Sequence, residues 1–133
     1  MTFEEAETRC PNGFHDAEID GFAVDYRAGT LSLSMRIWSG TMGTPDQEDY
    51  RGATLRVNRL VFFAIEPPDP RYPFIPDGDS LGIDGAKGLG NSGEMAALAA
   101  RFPAEVSCYR FFVEPWNSFI YVAGSDIELR FEV

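Results

Sequence analysis

The sequence predicts a mainly β domain, an antiparallel β-sandwich or strongly curved sheet of about six to seven strands with one short α-helix. Three observations carry this. Apolar and polar residues alternate with period two through Leu31, Leu33, Met35 and Ile37, and again through Ile127, Leu129, Phe131 and Val133. Two longer stretches, TLRVNRLVFFAIE and VSCYRFFVEPW, are apolar on both parities over part of their length, the pattern of strands covered on both faces. Most connections between these stretches are short and hold turn formers, so sequential strands are expected to run antiparallel.

A chain of 133 residues is one ordinary domain, and with 44% apolar and 14% aromatic residues it can bury a real core. We take 1–133 as a single domain. Eleven basic against 21 acidic residues leave a net charge of −10, a field that repels nucleic acid and anionic lipid and draws cationic partners. No apolar run approaches the roughly 20 residues of a membrane helix, and MTFEEAETRC lacks the basic and apolar regions of a signal peptide. The expected location is cytoplasmic. There Cys10 and Cys108, far apart in sequence, are expected to stay free thiols.

Along the chain, FHDAEIDGF reads as the first strand. His15, Ala17 and Ile19 share its apolar face; Phe14, Asp16, Glu18 and Asp20 share the other. The apolar parity then moves to Phe22, Val24 and Tyr26, as a bulge at Asp20–Gly21 would produce. A tight Asp-Gly hairpin turn is the rival reading. TLSLSMRIW follows as a half-buried strand, and TLRVNRLVFFAIE as a central one in which the parity of Arg59 directs its guanidinium into the core, toward Glu66 or Glu114.

Residues 66–93 form a long Pro/Gly-rich arm. Pro67, Pro70, Pro73 and Pro76 recur every third residue, so a polyproline helix would carry them along one edge for roughly 28 Å. The glycine-rich second half is expected to be mobile. In GEMAALAARF, Asn91 or Ser92 can cap a helix, Glu94 suits its first turn and Pro103 ends it, while Met95, Leu98 and Phe102 form a face for packing on the sheet. VSCYRFFVEPW is the next strand, with Trp116 as a core anchor. SFIYVAG and DIELRFEV are the last two, separated by a turn at Gly124–Ser125.

Motifs for chemistry are scarce. One histidine and two distant cysteines supply no transition-metal ligand set, and DGDSLGIDG lacks the glycine and terminal glutamate of a calcium loop. GAKGLGNSG lacks the Lys-Ser or Lys-Thr end of a phosphate loop, and Ser39 lacks the glycines of a nucleophile elbow. No catalytic residue, metal or cofactor is therefore assigned. The candidates for protein binding are the acidic comb Asp16, Glu18 and Asp20, with Asp77, Asp79 and Asp84 on the arm. A small-ligand module would instead use a sheet concavity walled by His15, Trp38, Tyr109 and Tyr121. A self-assembling homo-oligomer would pair through an aromatic second face at Phe62, Tyr109 and Phe111.

The run Phe14-His15-Asp16-Ala17-Glu18, followed by strands and the Trp116–Asn117 turn, resembles small bacterial proteins that open with Phe-His-Asp-Ala-Glu ahead of a strand. Several such groups are uncharacterised, and some are assigned as immunity proteins of polymorphic-toxin systems. The resemblance implies an inhibitor that binds a protein toxin and assigns no catalytic role to those residues. The proline arm has no counterpart in that pattern.

Overall fold

A computed structural model describes residues 1–38, 50–72, 81–87 and 93–132. Among them, six strands form a closed antiparallel barrel: β1 (Glu18–Asp25), β2 (Thr30–Trp38), β3 (Tyr50–Ile65), β4 (Leu81–Lys87), β5 (Ser107–Val113) and β6 (Ser118–Phe131). Their order around the wall is β1-β2-β3-β6-β5-β4, and β4 returns to β1 through Ile19–Leu81 and Glu18–Gly82. The mainly β reading holds, but the sheet is neither a sandwich nor open: it closes on itself.

Closure follows from the two longest strands. β3 and β6 have 16 and 14 residues and stay paired from Ala53–Phe131 to Ile65–Ile120. The first half of β3 also pairs with β2, and the first half of β6 with β5. Each long strand thus serves two walls and must bend where it passes from one to the other. Arg59 takes a left-handed φ of 48° at that point, and the ladder slips between Leu60 and Phe62. Opposite it, a Cβ on Gly124 would lie 2.3 Å from Val57 Cγ1, so glycine lets the two strands approach.

This bend overturns two expectations. Gly124–Ser125 is not a turn between two strands but the corner of one continuous strand. Arg59 does not enter the core: its left-handed backbone breaks the alternation, and the side chain is exposed. Glu66 is bonded instead by the Tyr121 hydroxyl, at 3.2 Å.

The interior is filled by the period-two residues, among them Leu31, Leu33, Met35, Ile37, Leu55, Val57, Ile127 and Leu129. β5 and the start of β6 add Tyr109, Phe111, Val113, Ile120 and Val122. The bulge expected at Asp20–Gly21 is present, with the β1–β2 register shifting between Ile19 and Gly21.

Among the described residues two α-helices are present rather than one. α1 (Phe3–Thr8) is a single-turn plug whose capping box joins the Thr2 side chain to the Glu5 N–H and the Glu5 carboxylate to the Thr2 N–H. Phe3 stacks on Tyr109 with ring centres 5.1 Å apart, and Phe14, in the following turn, meets Tyr109 and Phe111 edge-on or tilted. The plug also bonds the second half of β6, which lies beyond the end of β5: Ile127 N–H donates to the Met1 carbonyl, and Arg9 to that of Leu129. α2 (Gly93–Ala99) is the expected helix, and Phe102 just beyond it packs on Phe62, on the outer side of β3.

The glycine-rich half of the arm, expected to be mobile, contributes β4. Residues 66–72 run beside the 3-10 turn Glu114–Trp116: Asp69 accepts from Arg71 and Asn117, and its N–H bonds the Trp116 carbonyl. Trp116 packs against the core as an anchor. The expected polyproline edge at Pro73 and Pro76 lies outside the described residues, as do Ser39, Asn91 and Ser92. Among the described residues no helix is long and apolar enough to cross a membrane.

Candidate functional site

The segment around the single histidine divides into a turn and a strand. Pro11 to Asp16 form turns, and Asp16 has a left-handed φ of 60°, so the strand begins at Glu18 rather than at Phe14. Ala17 and Ile19 form the buried face expected of them, but His15 does not share it. Its side chain is 50% exposed and lies 3.7 Å from the Asp16 carboxylate, a contact that a flat strand would forbid. Phe14, assigned to the acidic face, points into the core instead.

The comb itself is real but partly neutralised. Glu18 pairs across the β1–β2 ladder with Arg36, carboxylate to guanidinium 2.6 Å, and Asp20, the bulge residue, reaches the same guanidinium at 3.5 Å. Two residues apart in the strand, Glu18 and Asp20 share one face beside one arginine. The three carboxylates of the comb and Arg36 sum to a formal charge of −2 on this stretch of wall. Nearby, Tyr50 at the start of β3 pairs with Trp38 and donates its hydroxyl to the Asp16 carbonyl, tying the turn to the barrel rim. Asp77 and Asp79 lie outside the described residues, and of Asp84 only its backbone position in β4 is described.

The four residues suggested as ligand walls are not gathered in one place. His15 and Trp38 belong to the rim just described. Tyr109 is 2% exposed inside the barrel and donates its hydroxyl to the Glu7 carboxylate of α1. Burial, with that bond second, pushes its ionisation well above the usual tyrosine range. Tyr121 stands on the opposite side of the wall. Tyr109 and Phe111, expected on an aromatic outer face, are both core residues.

That outer face exists with other members. Phe112 pairs with Phe119 and Arg110 with Tyr121 across β5 and β6. The Arg110 guanidinium sits 4.7 Å over the Phe119 ring, and Tyr121 donates to Glu66. Burial and the Glu66 charge raise the Tyr121 ionisation. Among the described residues no hydrogen-bond acceptor meets the buried Nε of Arg110. Arg110 and Phe112 lie on the parity opposite to Tyr109 and Phe111, so strand alternation was the signal that could have found them.

On the other side of the barrel a groove of about 230 Å³ crosses β2, β3 and β6, with Arg56 and Arg130 facing Glu128 and Glu132 above Ser32 and Thr54. Its charges balance, which gives it no preference for either sign. Among the described residues no group of three or more His, Cys, Asp or Glu side chains is placed to hold a metal. Cys10, buried under α1, and Cys108, on the outer side of β5, are free thiols whose ionisation burial pushes up.

No family model matches the sequence, and no curated protein is similar to it. The fold is similar to the crystal structure of an uncharacterized protein from Neisseria gonorrhoeae, with a TM-score of 0.47 and 9% identity. The alignment covers 87% of this chain and 91% of that one.

Proposed function

We propose that this protein is a non-catalytic binding protein that engages a basic protein through the acidic rim of β1 and the turn before it. The observation that carries this reading is the filled interior. Aliphatic and aromatic side chains occupy the space inside the barrel, so recognition falls to the outer surface of a chain with net charge −10. An exposed acidic rim raises the association rate of a cationic partner by electrostatic steering, more than it raises affinity. The resemblance at Phe14–Glu18 adds a class of partner: a basic toxin held inactive by an immunity-type inhibitor.

Arg36 makes the proposal testable in both directions. Neutralising Asp16, Glu18 and Asp20 to Asn, Gln and Asn changes the local charge from −2 to +1, whereas Arg36→Gln changes it from −2 to −3. A partner is first isolated by low-salt capture from the source cells and elution on a salt gradient. Stopped-flow association at low salt should then slow by roughly tenfold for the triple variant and quicken for Arg36→Gln, the differences fading as salt rises. Rates that ignore both changes would remove the rim from the interface.

A further inference from the structure

We propose that the second half of β3, residues 61–65, is a strand-addition edge through which two copies of this chain pair antiparallel about a two-fold axis. β2 accompanies β3 only as far as Val57, and Leu60 N–H closes the contact on the Gly29 carbonyl. Beyond that point β6 lies on one side of β3, and no strand among the described residues lies on the other. Glu66 N–H points to Phe119 in β6, so by alternation the N–H and C=O groups of Phe63 and Ile65 point away from β6 toward the open side.

The side chains of this edge are those that protein surfaces ordinarily withhold. Val61 and Ile65 are 44% and 45% exposed, and from Leu60 to Ile65 there is no charge and no proline. Edge strands are normally blunted by lysine, proline or a covering element, because a bare row of amides recruits another strand. The bulge at Leu60–Phe62 limits the open row to its last residues, which favours one short, defined pairing over an extended one.

A second copy is the occupant that the charges select. Two chains of net charge −10 repel over most of their surfaces, so contact is favoured on a charge-free strip. This strip has exposed Arg59 at one end and Glu66 and Asp69 at the other. Two-fold antiparallel pairing sets Phe63 against Ile65 of the partner subunit, twice, and carries each Arg59 toward the acidic end of the opposite strand.

The test is sedimentation velocity of the wild-type chain and of Ile65→Lys and Ile65→Glu. Ile65 is half exposed, so both variants should keep the wild-type circular dichroism. The wild type should move from one chain mass of 14.8 kDa toward twice that value with concentration, and its Phe63 and Ile65 amides should exchange more slowly as it does. Each variant alone places two like charges beside the axis and should weaken association at least roughly tenfold, and mixing the two should restore it as a heterodimer. A wild type that stays at one chain mass up to about 0.1 mM, or a mixture that does not pair, overturns the proposal.

Discussion

Replacing Gly124 by alanine tests the corner on which the barrel is built. The φ of this glycine lies outside the left-handed region, so the substitution meets no backbone strain, and its cost is steric alone. The added carbon would stand 2.3 Å from Val57 Cγ1, where ordinary contact begins near 3.4 Å, and 3.0 Å from the Asn58 carbonyl oxygen. Val57 is fully buried and, being β-branched, has little rotamer freedom with which to yield the missing ångström. Overpacking of this kind costs about 1–3 kcal/mol, a fall in Tm of roughly 3–9 °C for a domain of this size. Val57→Ala alone should cost about 2 kcal/mol through reduced burial and the cavity it leaves. Because it removes the colliding methyl, the double variant should be more stable than the sum of the two by about 1 kcal/mol, with the Asn58 oxygen preventing full relief. Urea unfolding of the four proteins measures each term. A Gly124→Ala cost under about 0.5 kcal/mol, or strict additivity, would refute the steric account of the bend.

Tyr109→Phe should cost about 1–2 kcal/mol in the same assay, because Glu7 loses a donor while retaining only the longer bond from Phe14 N–H. The folded state holds the Tyr109 ionisation above its unfolded value. Stability is therefore full below about pH 10 and falls as the unfolded tyrosine ionises first, a loss that Tyr109→Phe should reduce. Parallel alkaline slopes for the two proteins would count against that burial. Arg59→Gly should stabilise by roughly 0.5–1 kcal/mol, since glycine adopts the left-handed backbone of this exposed position without the steric penalty that a Cβ brings. A drop in Tm would show that the arginine side chain holds the corner.

Much of the wall was legible because its residues obey period two. The alternation through Leu31–Ile37 and Ile127–Phe131 follows directly from one face packing inward, and the parity change after Asp20 located a true bulge. Parity failed where a single residue leaves the strand conformation. Arg59 and Asp16 both take positive φ without being glycine. Arg59 and Val61 are exposed where counting directed them inward, and ahead of Asp16 Phe14 is buried and His15 exposed, the reverse of the count. Ala17, Ile19 and Phe63 keep the side expected of them. Pro11-Asn12-Gly13 was the available signal that the first strand starts late. α1 escaped because six residues are too few for a periodic pattern, although Thr2-x-x-Glu5 is a capping box in plain view. β4 was masked by its glycines; its place comes from pairing with β5, which is information held elsewhere in the chain. For the candidate site, the acids could be read but Arg36 among them could not, since that ion pair depends on cross-strand register.

The way α1 is seated has a consequence for the newborn chain. Phe3 and Phe14 leave the ribosome early, yet the surfaces that cover them belong to Tyr109, Phe111 and the backbone of Ile127 and Leu129. At usual elongation rates, roughly 6–23 s separate the synthesis of Phe14 from that of Leu129. For that interval the plug has no seat, and two phenylalanines meant for the core stay within reach of chaperones. The residues that seal the barrel at α1 are thus made well before the β5 and β6 surfaces that seat them.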